Sequence, residues 1–127
     1  MRRRAATSPG GYLLNAATQA KLWYWQRVTA MLLALFVLVH LVTLVYAVRG
    51  GLTGADILGR TRGSWFAALF YGGFVLTAAV HAPIGIARVA EEWLGLSRQT
   101  SYGVAGLLGV ALAVSGLRAV YAVVGAP

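Results

Sequence analysis

The chain has 127 residues, of which 59% are hydrophobic and only 11% are charged, and its formal net charge is +8. This balance is typical of a membrane protein and disfavours a soluble globular domain. Because there is no cysteine, disulfides, thiolate metal sites and cysteine nucleophiles are excluded. The basic residues flank apolar runs, so they indicate membrane topology and contact with anionic lipid, and we expect no nucleic-acid partner.

The first segment, residues 1–27, is predicted to be a cytoplasmic N-terminal arm that ends in an interfacial aromatic segment. Three arginines follow Met1, and small and polar residues follow them. No apolar run precedes Val28, which does not fit a cleaved signal peptide. Aromatic rings are clustered at residues 22–25, as is typical of a membrane–water interface.

Residues 28–126 are predicted to form an all-α domain of three transmembrane helices. A spanning helix needs ~20 residues, and the apolar runs that satisfy this are 28–48, 65–89 and 102–124. The glycine-rich segment between the first two runs is predicted to be a loop. Pro83 removes one backbone hydrogen bond and is expected to bend the second helix. Small residues recur at three- and four-residue spacing in the third run, which favours close helix packing. They are Ala105, Gly109, Ala113 and Gly116.

The distribution of basic residues favours an N-terminus in the cytoplasm. In that orientation most of them lie on the inner side, namely Arg2, Arg3, Arg4, Lys21, Arg27, Arg88 and Arg98. Arg49, Arg60 and Arg62 lie outside, and Arg118 falls within the third span near its outer end.

His40 and His81 are the only histidines, and each falls inside a predicted span. An imidazole in hydrocarbon is costly unless it has a partner, and haem iron takes single histidines from separate helices. At ~1.5 Å per residue, His40 is expected near the outer face and His81 nearer the inner face. The two are therefore not expected to bind one metal ion together.

Each histidine belongs to a stripe of polar, aromatic and small residues at helical spacing, against which a flat macrocycle would fit. The first stripe comprises Thr29, Leu33, Phe36, His40, Thr43 and Ala47, and the second comprises Phe70, Phe74, Thr77, His81, Gly85, Arg88 and Glu92. Gly85 would let a porphyrin approach the backbone, and Arg88 would pair with a propionate. The alternative is that each histidine only hydrogen-bonds a neighbouring helix. The threonines are interpreted as packing hydroxyls.

Ordered motifs at matching spacing resemble the membrane-anchor (cytochrome b) subunits of succinate dehydrogenase and fumarate reductase. In that family the first helix begins Arg-x-[Ser/Thr]-[Gly/Ala], here residues 27–30. The second helix carries His-x-x-x-Gly-[Ile/Met], here residues 81–86, then a basic or aromatic residue, here Arg88. An acidic–aromatic pair follows, here Glu92-Trp93. The resemblance covers residues from about 23 to 126, with the three-span layout.

The resemblance implies a multi-pass subunit of the cell (inner) membrane that anchors an iron–sulfur subunit and a flavoprotein subunit. His81 would ligate haem b, and electrons would pass between the iron–sulfur clusters and membrane quinone. The quinone pocket would involve Arg27, which could also pair with a propionate, together with Trp23, Gln26 and Trp93. Some members have a tyrosine at the position of Trp93, and an indole donates one hydrogen bond but is no phenolic acid.

Members of the family with two haems also use a histidine of the first helix, which implies His40 as the ligand of an outer haem. One chain offers one ligand per haem, so the opposite ligand would come from a second membrane-anchor subunit or from another copy of this chain. We favour a second anchor subunit because an asymmetric soluble partner meets one pocket. Two alternatives remain: a haem-free anchor that forms only the quinone site, and a small membrane transport or assembly subunit that uses Arg118 and the histidines.

Overall fold

The computed structural model describes residues 16–125, and that part of the chain is helical with no strand. Its helices are α1 (Ala16–Arg49), α2 (Gly54–Thr61), α3 (Trp65–Leu94) and α4 (Arg98–Val124). α3 lies in the centre and packs against α1 on one side and α4 on the other. Because α1, α3 and α4 are each long and apolar enough to cross a membrane, the predicted all-α membrane fold with three spanning helices is confirmed.

The helices extend beyond the predicted spans. α1 begins at Ala16, and its 34 residues reach about 51 Å, well beyond a hydrocarbon core of ~30 Å. Residues 16–27 of the predicted arm are therefore helical, since alanine, glutamine and lysine favour helix without being apolar enough to count as a span. The remainder of the arm, residues 1–15, and residue 126 of the predicted domain lie outside the described residues. α3 ends at Leu94, after which Gly95 adopts the left-handed conformation (φ 62°) that stops a helix.

The glycine-rich segment that the sequence predicts as a loop contains the short helix α2. Its N-terminus is closed by a capping box, in which the Thr53 Oγ1 accepts from the Asp56 N–H and the Thr53 N–H donates to the Asp56 carboxylate. Its C-terminal end is tied to the end of α4. Thr61 Oγ1 donates to the Val123 carbonyl at 2.9 Å, and the Gly63 N–H donates to the Val124 carbonyl at 2.9 Å. These bonds satisfy carbonyls that would otherwise be orphaned at the end of α4.

We expect Thr53→Ala to raise the pKa of Asp56 and to loosen α2. The Thr53 hydroxyl and backbone N–H both donate to the Asp56 carboxylate and hold its pKa below the ordinary value. A carboxyl group whose pKa is lowered on folding adds stability that is present above its unfolded pKa and is lost as the pH falls through the folded pKa. The cap is therefore intact at neutral pH and weakens in acid.

An NMR titration of Asp56 and amide hydrogen exchange in α2 would check this expectation. Thr100→Ala is the control, because Thr100 bonds Ser97 at the start of α4 and not Asp56. An unchanged Asp56 titration in Thr53→Ala would contradict the capping role.

α3 and α4 approach each other closely where small residues of α4 meet α3. Ala105 is 1% exposed, and Ala87 on α3 is fully buried. A Cβ added to Gly109 would lie 2.6 Å from Pro83 Cγ, and one added to Gly116 would lie 2.5 Å from Val75 Cγ1. Pro83 therefore fills the space that Gly109 leaves open, and α3 continues as a helix through the proline.

The described part of the chain buries little apolar surface by itself. Its buried hydrophobic residues are Ala67, Ile84, Ala87 and Ala105, whereas most leucines, valines and large aromatic residues remain exposed. Exposed apolar surface on this scale is characteristic of helices covered by lipid or by other subunits. The fold is thus a scaffold whose outer faces are completed by its surroundings.

Candidate functional site

The two predicted stripes face each other along the seam between α1 and α3. Contacting pairs run in antiparallel register: Gln26 with Gly85, Thr29 with His81, Phe36 with Phe74, and His40 with Tyr71. The space between the stripes is filled by these side chains, because the aromatic rings of one helix pack on those of the other. A macrocycle that contacts either histidine would therefore lie at an outer edge of the seam and not between the stripes.

His81 is held by a hydroxyl of the neighbouring helix. Its Nδ1 lies 3.2 Å from the Oγ1 of Thr29, a residue only 5% exposed. The Thr29 hydroxyl donates to the Trp25 carbonyl at 2.6 Å. With its proton directed to that carbonyl, the hydroxyl presents a lone pair to His81, which favours the tautomer whose proton is on Nδ1. Nε2 is then the nitrogen with a free lone pair, which is the form of imidazole that ligates a metal.

An apolar groove of about 400 Å³ lies beside His81. Its lining comes from α3 alone: His81, Ala82, Gly85, Ile86, Val89, Ala90 and Leu94. Since one helix supplies one wall only, the opposite wall must come from lipid, a bound group or another chain. The groove therefore places an imidazole on an unfinished apolar surface.

Gly85 and Gln26 are in contact one turn from His81. A Cβ at Gly85 would lie 3.2 Å from the Gln26 Nε2, so the glycine makes room for this amide. The Gln26 Oε1 is buried and has no hydrogen-bond partner among residues 16–125. Arg88, one turn further along α3, is half-buried. The predicted haem-binding residues of α3 thus lie beside a predicted quinone-site residue of α1.

The other predicted quinone-site residues lie at the same end of the bundle, opposite α2. The Arg27 guanidinium sits over the Trp23 ring, 5.0 Å from its centroid. The α1–α3 register places Trp23 at the level of Arg88. Trp93, near the end of α3, is 82% exposed. Within the described residues no hydrogen bond or ring contact joins Trp93 to Arg27 or Trp23, so this chain brings the tryptophans to one end without closing a pocket around them.

His40 lies about 16 Å along α1 from the level of His81, counting from Thr29. Its ring packs edge-on against Tyr71 and Phe74, with centroids 5.9 and 6.0 Å away. Its Nδ1 is buried and lacks a hydrogen-bond partner in the part of the chain that the structure describes. A buried imidazole nitrogen without a partner is unusual.

His40 also lines a half-open cavity of about 480 Å³ between α1, α2 and α3. Most of the lining is apolar or aromatic, and Arg60 of α2 supplies a cation. The sequence predicts Arg60 only as an outer-side topology signal, because its place beside His40 depends on α2. The [Ser/Thr]-x-x-[Asp/Glu] signal at Thr53 could have revealed that helix.

Neither histidine belongs to a cluster of metal-ligating side chains in the described part of the chain. No three His, Cys, Asp or Glu side chains converge in residues 16–125. A histidine that held a haem iron would need an apolar surround and a cation near the propionates. His81 borders an apolar groove, with Arg88 about two turns further along α3 but outside the groove lining, and His40 borders a cavity that Arg60 also lines.

Comparison with known proteins gave one family match. The family described as succinate dehydrogenase/fumarate reductase transmembrane subunit matches residues 1–122. No curated protein and no solved structure gave a significant match. The matched range includes both histidines and nearly all of the three spanning helices.

Proposed function

Because the chain belongs to the succinate dehydrogenase/fumarate reductase transmembrane subunit family, we propose that it binds haem b and passes electrons between iron–sulfur clusters and membrane quinone. It is a multi-pass membrane protein that partners other subunits of such a complex. In the proposal the partners are an iron–sulfur subunit, a flavoprotein subunit and a second membrane-anchor subunit. The location is the cell inner membrane, with the N-terminus in the cytoplasm.

The proposal rests on the hydrogen bond that His81 makes and on the groove beside its ring. Its Nδ1 is engaged by Thr29 and its ring lines an apolar groove, so Nε2 would be the nitrogen free to ligate a metal. Haem b, when bound, supplies one-electron redox chemistry. His81 would hold the iron, and Arg88 would neutralise a propionate. Because α3 alone lines the groove, the opposite wall and ligand fit a second anchor subunit.

His40 would hold a second, outer haem in the cavity near α2. The apolar lining of the cavity supports this assignment, and Arg60 adds a cation for a propionate. The two histidines lie at different levels of the seam, so they would serve two separate haems. Each haem would need its other ligand from the second anchor subunit.

A quinone site is proposed at the end of the bundle opposite α2. Quinone carbonyls accept hydrogen bonds, and this end offers donors of three kinds: the Arg27 guanidinium, the Gln26 amide, and the indoles of Trp23 and Trp93. The Gln26 Oε1 is an acceptor without a donor among residues 16–125, so the hydroxyl of the reduced quinol would satisfy it, whereas a quinone carbonyl would not. The exposed rings of Trp23 and Trp93 would be covered by the iron–sulfur subunit and the quinone.

A reduced-minus-oxidised spectrum and a pyridine haemochrome assay on the purified complex, assembled with its native partners, test the haem proposal. We expect a b-type absorption band and haem in stoichiometric amount. A complex that reduces quinone but shows no such band would overturn haem binding and leave a haem-free anchor that forms the quinone site.

We expect Arg27→Gln to lower kcat/KM for quinone by about ten- to a hundredfold. A hydrogen bond from a charged donor contributes ~1.5–3 kcal/mol, which corresponds to this range. Succinate oxidation with a dye that accepts electrons before the quinone site should not change.

Lys21→Gln is the matched control, since it removes a cation from the same exposed end of α1. Equal quinone kinetics in the Arg27 and Lys21 variants would contradict the assignment of Arg27.

A further inference from the structure

Thr29 differs from the other threonines of the seam. Thr43 donates to the His40 carbonyl at 2.7 Å, and Thr77 donates to the Gly73 carbonyl at 2.7 Å, so both act as packing hydroxyls within their own helices. Thr29 also bonds its own helix, but its oxygen lies in addition 3.2 Å from the His81 Nδ1 on α3. It is the threonine whose hydroxyl reaches an imidazole.

The direction of the Thr29 O–H bond determines whether the hydroxyl donates to the His81 Nδ1 or accepts a hydrogen bond from it. The Trp25 carbonyl lies at 2.6 Å and the His81 Nδ1 at 3.2 Å, so the shorter and stronger acceptor is the carbonyl. The hydroxyl then accepts from Nδ1–H. If the Thr29 hydroxyl donated to Nδ1 instead, Nε2 would carry the imidazole proton and could not ligate iron. At 5% exposure, Thr29 leaves little room for water to replace its hydroxyl.

We propose that Thr29 is the positioning residue of the haem ligand His81: it fixes the Nδ1–H tautomer and the ring orientation, and it lowers the potential of the inner haem. This inference rests on the proposed haem ligation by His81. An N–H donated to an oxygen acceptor makes an imidazole a stronger ligand. A stronger ligand stabilises ferric iron relative to ferrous iron, which lowers the reduction potential.

The test compares Thr29→Val with Thr29→Ser in the assembled complex. Valine keeps the branched shape and removes the acceptor, whereas serine keeps the acceptor. We expect Thr29→Val to raise the midpoint potential of the inner haem and to shift its ferric EPR signal. Thr29→Ser should match the wild type in both measurements. Thr43→Val is the matched control, because it removes a hydroxyl of the same helix that bonds only backbone.

The outcomes separate this inference from the proposed function. A wild-type complex without haem overturns haem ligation itself. A haem that is present, with the same potential and EPR signal in Thr29→Val as in the wild type, overturns only the role of Thr29. Loss of the inner haem in Thr29→Val, with retention in Thr29→Ser and Thr43→Val, supports the role. Should Thr29→Val fail to assemble, Thr29→Ala removes the same acceptor with a smaller side chain, and the same shift is expected.

Discussion

His81→Ala is expected to remove the inner haem and leave the outer one, and His40→Ala is expected to do the reverse. Each histidine is the one ligand that this chain would offer to its haem, and the described residues place no second histidine at the same level. Without its histidine, this chain would offer no nitrogen to hold the iron of that haem. Haem content falls by one equivalent in each variant if two haems are bound.

Haem content per complex, measured by pyridine haemochrome, gives the result directly. EPR of the ferric state adds the identity of the haem that is lost. His81→Gly grown with added imidazole is the matched control, since free imidazole restores the ligand without restoring the side chain. Unchanged haem content in both alanine variants would contradict ligation by either histidine.

The three spans and their central residues could be predicted because they follow from local sequence. Apolar runs of spanning length need no knowledge of tertiary contacts, and small residues such as Gly109 repeat at helical spacing. The ends of the helices were harder to predict from the sequence. α1 includes residues 16–27 because helix propensity continues through residues that hydropathy does not count.

The partners of the histidines could not be predicted, because they depend on the register between α1 and α3. Helical spacing places Thr29 on the same stripe as His40, but its imidazole partner is His81, on the other helix. The two stripes were also expected to face a macrocycle, whereas they pack against each other. Pairing across a seam depends on how far one helix slides along the other, which the residue spacing within either helix does not specify.

The position of Arg60 beside His40 also could not be predicted from the sequence. Charge counting places it outside the membrane, and nothing in its neighbourhood in sequence connects it with His40. A capping box starts α2, and two hydrogen bonds tie the end of α2 to α4, which brings Arg60 to the cavity. Short elements of this kind decide site geometry although they contribute little to the hydrophobic pattern.

Gly109→Ala is expected to destabilise the bundle by about 1–3 kcal/mol, whereas Gly106→Ala is expected to be neutral or slightly stabilising. A Cβ at Gly109 would meet Pro83 Cγ at 2.6 Å and the Ala79 carbonyl oxygen at 3.2 Å, and neither atom belongs to a flexible side chain. A Cβ at Gly106, on the same helix, would meet nothing within 4 Å. Thermal melting in detergent, together with the yield of assembled complex, measures the difference. Equal melting temperatures of the two variants would contradict close packing at Gly109.

Pro83→Ala in the Gly109→Ala background isolates the contact that causes this loss. Removing the ring opens the space that the new methyl group needs, so the double variant should lose less stability than the sum of the single variants. Because Pro83 follows His81 by two residues, a displaced α4 would also shift the helix that carries the ligand. We therefore expect the haem potential to change in Gly109→Ala and to recover partly in the double variant. Additive losses in stability would show that the strain at Gly109 comes from the Ala79 carbonyl and not from the proline ring.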